Sequence, residues 1–138
     1  MKVMAIRAWR SYYVLCYFSC REVPETRRLI LLIDTGSTDT TLYAERLRIP
    51  RDVYESLEPG ERYDVVGGTV LPRKLHDVNL AFRTVEGAPL VIRLRECNVL
   101  SVDMRTFEDG LLGMDVLDSF RRWGAERRNR NWTMTLEI

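Results

Sequence analysis

Five consecutive apolar residues, at positions 29–33, end abruptly at Asp34, which Thr35 and Gly36 follow. A continuous apolar run of this length is typical of a strand buried on both faces, because a half-buried strand would alternate apolar and polar side chains. A carboxylate directly after such a strand is costly to bury unless hydrogen bonds or charges compensate it. The segment therefore predicts a buried strand that ends in a polar loop.

Turn signals recur at short spacing along the rest of the chain and separate short runs rich in Val, Ile, Leu, Phe and Tyr. This spacing is typical of an all-β barrel or sandwich. Strands are predicted at residues 3–8, 12–19, 28–33, 70–75, 78–82, 90–94, 98–101 and 132–138. Short helices are predicted at residues 41–48 and 114–123.

Length and charge restrict the class of protein. A chain of 138 residues with 46% hydrophobic and 30% charged residues fits one globular domain, which we place over residues 1–138. Its 21 basic and 20 acidic residues give a net charge of +1, which provides no general field for nucleic acid or an anionic membrane. We therefore predict a cytoplasmic protein that binds neither nucleic acid nor membrane.

The three cysteines are expected to be free. Cys16 and Cys20 lie in one apolar, aromatic run that is typical of a strand, where four steps separate their Cα atoms by about 13 Å. A disulfide needs Cα atoms within about 7 Å of each other. Together with Cys97 they make an odd number, which does not indicate a disulfide framework. We predict three buried thiols.

Two further segments give the Asp34 loop a context. Near the C-terminus, the sequence Leu-Leu-Gly-Met-Asp at residues 111–115 opens the second predicted helix. Between the two lies Val-Val-Gly-Gly-Thr-Val at residues 65–70, a glycine-bent segment suited to the tip of a mobile hairpin. Asp-Thr-Gly alone would indicate an ordinary turn, in which Asp and Gly are common. The three segments in this order indicate more than a turn.

This arrangement resembles the retropepsin-like aspartic proteases, the single-lobed family that includes retroviral proteases and their cellular relatives. The resemblance covers roughly residues 28–138, leaves residues 1–27 less securely matched, and is closest to the stand-alone prokaryotic members. It implies an all-β fold: a single-lobe retropepsin-like closed barrel with one short C-terminal helix. In that family an apolar strand delivers the Asp-Thr/Ser-Gly loop, and a flap hairpin covers the substrate.

The resemblance also implies an aspartic endopeptidase and assigns its residues. Asp34 is the catalytic carboxylate, Thr35 supports it by hydrogen bonds between two active-site loops, and Gly36 lets the substrate approach the backbone. Ser37, Asp39, Gly67 and Gly68 are candidates for substrate binding. We expect the Ser37 hydroxyl to hydrogen-bond the catalytic carboxylate, while a solvated polar side chain is the alternative for Asp39.

The length of the chain indicates how many subunits form the active site. Two carboxylates at close range share one proton, so one acts as base toward water and the other as acid. The chain has a single Asp-Thr-Gly and is too short for the two-lobed architecture that carries two copies. We therefore expect a homodimer with one Asp34 from each subunit, a peptide or protein substrate, and no cofactor or metal.

Other readings of the sequence stay open. A catalytically silent dimeric β-barrel that binds peptide or protein is the main alternative. Residues 121–130 carry five arginines and could contact nucleic acid, but a solvated connection within a hairpin is favoured. His76, the single histidine, has no metal-ligand partner at a suitable spacing and is expected to be structural.

Overall fold

Short strands make up most of the structure, a computed structural model that describes residues 1–101 and 106–138, without the side chain of Arg128. The strands are β1 (Lys2–Ala8), β2 (Ser11–Ser19), β3 (Arg27–Ile33), β4 (Thr41–Tyr43), β5 (Tyr63–Val65), β6 (Gly68–Val70), β7 (Arg73–Arg83), β8 (Pro89–Leu100), β9 (Gly110–Leu112), β10 (Arg122–Arg128) and β11 (Asn131–Glu137). The helices are α1 (Arg51–Ser56) and α2 (Met114–Leu117).

Six of these strands close into a barrel in the order β2, β3, β9, β4, β8, β7. Strand β2 closes it, because one edge of β2 pairs with β3 and the second half of its other edge pairs with β7. Strands β3 and β9 run parallel, as do β4 and β8, and the other neighbours in the ring are antiparallel. The all-β closed barrel with a short C-terminal helix is therefore confirmed.

A second layer of strands leaves the barrel at the first half of β2. There β1 pairs with β2, β11 with β1, and β10 with β11, all antiparallel. Val3 lies opposite Leu136 and Ala5 opposite Met134. All four side chains belong to the same core cluster as the barrel interior. The two ends of the described chain are thus joined to each other and packed on one core.

Strand β3 lies inside the barrel wall between β2 and β9. Leu29 and Leu31 are fully buried, whereas Ile30, Leu32 and Ile33 are only half-buried. The strand was predicted to be buried on both faces. The face of Leu29 and Leu31 is buried as predicted, and the face of Ile30 and Leu32 is half-buried.

Residues 41–48 were predicted to be helical, and this was wrong. Residues 41–43 form β4, which lies between β8 and β9 and completes the barrel ring, and turns follow it. A β-branched residue, a leucine and a tyrosine suit a strand, and all three side chains of β4 are buried. The first helix, α1, begins later, at Arg51.

Several predicted boundaries also shift. The helix predicted at 114–123 ends at Leu117, because Arg122 already begins β10 and pairs with Glu137 of β11. The arginine segment is therefore a strand of a hairpin. The strands predicted at 70–75 and 78–82 divide instead into β6 and a single β7, and those at 90–94 and 98–101 form the single strand β8.

The thiols are free and buried, as predicted for Cys16, Cys20 and Cys97. Burial raises the pKa of the Cys16 thiol to about 12, with a smaller contribution from the negative charge of Asp109. In the described residues, no helix has the length and apolar character needed to cross a membrane.

Gly110 tests the tight contact between β9 and β4. A Cβ atom there would lie 2.5 Å from the Thr41 carbonyl oxygen, so we expect Gly110→Ala to lower the free energy of unfolding by about 1–3 kcal/mol. Gly124→Ala in edge strand β10 is the matched control, because nothing lies within 4 Å of that position. Urea denaturation measures both, and equal effects of the two substitutions would contradict the packing argument.

Candidate active site

Asp34 follows β3 directly and is held by the backbone of β9. Its N–H donates a hydrogen bond to the Leu112 carbonyl at 3.0 Å, which extends by one residue the parallel pairing of Ile33 with Leu112. Two segments far apart in the sequence, the Asp34 loop and residues 111–115, therefore lie side by side. The loop cannot shift along the barrel without breaking this pairing.

Hydrogen bonds within the loop orient the Asp34 carboxylate. The Gly36 N–H donates to Asp34 Oδ1 at 3.0 Å, and the Ser37 N–H donates to the Asp34 carbonyl at 3.2 Å. The Ser37 hydroxyl donates to the Asp39 carbonyl at 2.8 Å instead of to the carboxylate. The expected Ser37–carboxylate contact is therefore absent from this structure, and a backbone N–H is the donor. Asp34 is half-buried, and Thr35 is exposed.

A buried hydrogen-bond network beneath the loop joins it to α2. Thr40 is fully buried, and its hydroxyl donates to Asp115 Oδ1 at 2.6 Å, while its N–H donates to the same carboxylate at 3.0 Å. The Gly113 N–H donates to the Thr40 hydroxyl at 3.1 Å. Thr40 was missed by sequence reasoning, because nothing distinguishes it there from its neighbours Thr38 and Thr41.

Gly113 allows the chain to pass close to this loop. A Cβ atom at Gly113 would lie 2.6 Å from the Asp39 carbonyl carbon, so no side chain fits without moving the backbone. The next two N–H groups, of Met114 and Asp115, donate to the carbonyls of Ser37 and Thr38. The first turn of α2 is therefore bonded to the loop along its length.

Asp109 braces β3 along the edge that pairs with β9, farther from the Asp34 loop. Its carboxylate accepts the Ile30 N–H at 2.8 Å and pairs with the Arg46 guanidinium at 2.8 Å. The Arg46 guanidinium also donates to the Thr106 carbonyl. Both carboxylates that brace the site, Asp109 and Asp115, thus have several donors.

A cleft of about 970 Å³ opens over the Asp34 loop. Asp34, Gly36, Ser37 and Asp39 line it, and so do residues 61–65, which lead into and form β5. Thr35 does not line the cleft, and its hydroxyl has no hydrogen-bond partner in residues 1–101 and 106–138. Four of the seven residues singled out from the sequence therefore share this cleft.

The hairpin that contributes to the cleft is formed by β5 and β6, with Tyr63 opposite Val70 and Val65 opposite Gly68. Gly67 and Gly68 have φ values of 96° and 155°, in the left-handed region that glycine adopts without strain. Both lie at the exposed tip, beyond the residues that line the cleft. The glycines therefore shape the hairpin, whereas β5 contributes most of its cleft surface.

The cleft is also lined by residues that the sequence did not single out. Lys74 Nζ pairs with Glu96 Oε1 at 3.1 Å across β7 and β8, and both side chains line the cleft. Tyr43 and Tyr63 line it as well. Burial, then the charge of Glu108, raises the pKa of Tyr43 to about 12, and burial likewise raises the pKa of Tyr63. Both phenols therefore remain neutral hydrogen-bond donors at physiological pH.

The described residues contain no group of three His, Cys, Asp or Glu side chains able to hold a metal ion. The chemistry that the described part of the cleft offers is that of a carboxylate with a backbone donor, set among neutral phenols and an ion pair.

Thr40→Val tests the network below the loop. Valine keeps the shape of threonine but leaves the buried Gly113 N–H without its acceptor and removes one of the donors to Asp115, so we expect a loss of about 1–3 kcal/mol in unfolding free energy. Thr38→Val, at an exposed neighbouring position, is the control and should change little. Chemical denaturation compares the two, and an unaffected Thr40→Val protein would contradict the proposed bracing.

Comparison with known proteins agrees with this geometry at the level of the fold. No protein-family model matches the chain, and no curated protein matches it either. A solved retropepsin-like aspartic protease from Rickettsia conorii is similar, with a TM-score of 0.61 at 16% identity, over 99% of this chain and 90% of that one. The retroviral protease-like domain of Ddi1 from Leishmania major matches with a TM-score of 0.43 at 12% identity, over 91% and 92%. The chain has the retropepsin-like fold.

Proposed function

We propose that this protein is an aspartic endopeptidase in which Asp34 is the catalytic carboxylate. One observation carries the proposal: on a retropepsin-like fold, Asp34 lines a cleft of about 970 Å³ together with residues of a β-hairpin. Hydrolysis of a peptide bond without a metal needs a base to activate water and an acid to protonate the leaving amine. Two neighbouring carboxylates that share one proton supply both groups.

The second carboxylate comes from a second copy of the chain. The single Asp-Thr-Gly provides one carboxylate, so the dyad forms when two Asp34 side chains meet at a two-fold axis. The exposure of Thr35 supports this arrangement, because its hydroxyl is available to a loop of the partner subunit. The Gly36 N–H donates to Oδ1 of Asp34 and orients the carboxylate of the base.

The substrate is a peptide or a protein segment in extended conformation. Ser37 and Asp39 line the cleft and are proposed to contact it, whereas Gly67 and Gly68 act by letting the hairpin tip bend over it. An extended peptide between the hairpin and the Asp34 loop gains β-type backbone hydrogen bonds. The free buried thiols favour a reducing compartment, and we propose the cytoplasm.

Asp34→Asn removes the base while keeping the size of the side chain. We expect cleavage of an unfolded protein mixture to fall by at least about 100-fold, because the dyad loses its general base. Mass spectrometry of the digests at acidic and neutral pH measures it. The control, Asp52→Asn on the exposed face of α1, should cleave like the wild type. Undiminished cleavage by Asp34→Asn would refute the assignment, and no cleavage by the wild type would favour a peptide-binding barrel.

A mixing experiment tests whether the site is shared. When wild type is equilibrated with an equal amount of Asp34→Asn protein, about half of the wild-type chains enter mixed dimers. We expect the activity per wild-type chain to fall to about half, since a mixed dimer has one competent carboxylate. Equal addition of the Asp52→Asn protein should cause no such fall. Unchanged activity in the first mixture, or a monomer by analytical ultracentrifugation, would contradict a shared dyad.

A further inference from the structure

His76 lies between two carboxylates. Its Nδ1 is 2.6 Å from Oε2 of Glu22, and its Nε2 is 2.7 Å from Oε2 of Glu58. The backbone N–H of His76 also donates to Oε1 of Glu22 at 2.8 Å. Both ring nitrogens therefore have an acceptor, which is the bonding pattern of a doubly protonated imidazolium.

The three residues come from three separate segments. His76 lies on β7, shortly after the β5–β6 hairpin, and Glu58 lies between α1 and that hairpin. Glu22 lies in the connection between β2 and β3, which belong to the barrel wall. The imidazole, on barrel strand β7, therefore bridges the β2–β3 connection and the segment that leads into the hairpin.

These two segments are paired at the base of the hairpin. The Lys74 N–H donates to the Glu58 carbonyl and the Gly60 N–H to the Pro72 carbonyl, both at 2.8 Å. The Arg73 guanidinium donates to the Leu57 carbonyl at 3.0 Å. The contact of the Glu58 carboxylate with His76 is a further link at this base, and its loss removes one of the restraints on the segment that leads directly into β5.

We propose that His76 is a positioning residue that ties the Glu58 segment at the base of the hairpin to the β2–β3 connection while its imidazole is doubly protonated, and loosens that segment when it loses a proton. The proposal rests on the proposed function in one respect, because it treats the hairpin as the flap over the substrate cleft.

The contact between His76 and Glu58 depends on protonation because protonation sets the number of hydrogen-bond donors on the imidazole ring. Imidazolium has two N–H groups, whereas neutral imidazole has one N–H and one lone pair. When the second proton leaves to solvent, one carboxylate faces a lone pair and is repelled. Glu22 keeps the backbone N–H of His76 and its side chain is 19% exposed, whereas the Glu58 side chain is 56% exposed. Glu58 is therefore the partner that leaves.

Other charged groups around His76 have partners of their own. Arg21 pairs with Asp77 at 2.7 Å, and Lys74 pairs with Glu96, which lies opposite His76 in the β7–β8 register. The titratable groups near the cluster are Cys20, Arg21, Glu22, Glu58, Glu61, Lys74, Asp77, Glu96 and Cys97. Of these groups, Glu22 and Glu58 contact the imidazole.

The pH range in which His76 holds both carboxylates follows from the directions in which the pKa values of His76 and Glu22 are shifted. The hydrogen bond to Glu22 raises the pKa of His76 above its usual 6.5 against an opposing effect of burial. Burial raises the pKa of Glu22, but hydrogen bonds from the His76 ring and backbone outweigh it and bring the pKa below 4.5. The bridge from Glu22 through His76 to Glu58 is complete at pH values between 4.5 and 6.5. At higher pH it is lost as His76 titrates through its raised pKa, and at lower pH it is lost as Glu22 becomes protonated.

The test uses the fact that His76 is the only histidine. NMR of its ring protons gives its pKa directly, and hydrogen exchange, expressed as protection factors, reports on residues 61–70. In the wild type we expect protection there to fall severalfold with a midpoint at the His76 pKa. Glu58→Gln should abolish this step and lower the His76 pKa, and His76→Gln should lack the step altogether.

Asp77→Asn is the matched control. It breaks the neighbouring Arg21–Asp77 pair without touching the Glu58 segment, and its φ of 52° is one that asparagine tolerates. We expect this variant to keep the protection step. The proposal would be overturned if the protection factors of residues 61–70 in the wild type did not change as His76 titrates. It would also be overturned if Asp77→Asn lost the protection step as Glu58→Gln does.

Activity separates this proposal from the proposed function. A protection step in a wild-type protein that cleaves no peptide would refute the endopeptidase and leave the bridge intact. Cleavage without a protection step would refute the bridge alone. Where both hold, Glu58→Gln should raise KM more than it lowers kcat, and the effect should disappear above the His76 pKa, where the wild type has also lost the bridge.

Discussion

The parallel pairing of β3 with β9 is the interaction on which the rest of the site depends. It carries the Asp34 loop to residues 111–115, and the hydrogen bond from the Asp34 N–H to the Leu112 carbonyl prolongs it into the loop. Glycine at position 113 makes the approach possible, because a side chain would collide with the Asp39 backbone. The cost of a carboxylate at the end of an apolar strand is offset here by the Gly36 N–H and by an opening toward solvent.

The carboxylates around this pairing fall into two kinds. Asp109 and Asp115 each accept several hydrogen bonds and hold segments of backbone in place. Asp34 accepts a single one in the described structure, from the Gly36 N–H, and faces a cleft. A carboxylate that is oriented by its neighbours and still open to a ligand is the arrangement that acid–base chemistry requires. The bracing residues make that orientation rigid.

Much of this could be read from the sequence. Apolar runs between turn residues predicted most strands, and the single-lobed barrel was implied by the resemblance of the three motif segments to the retropepsin-like family. Residues 41–43 were misassigned because a strand of three residues has too little periodicity to distinguish it from a helical turn. The helix predicted to continue past Leu117 ends there because β10 gains pairing with β11, a contact that local propensity does not contain. In both cases tertiary pairing outweighed the local preference.

By itself, the sequence determined that a buried strand would end in Asp34 and that only one such carboxylate exists per chain, because apolar runs and motifs are local properties. The tertiary structure alone decided what surrounds that carboxylate. It brought Thr40 to Asp115, Lys74 to Glu96, and His76 between Glu22 and Glu58. Each of these contacts joins residues that are far apart in the chain. The alternation of apolar and polar side chains along a strand predicts which face of the strand is buried, but it does not predict which strand lies beside it.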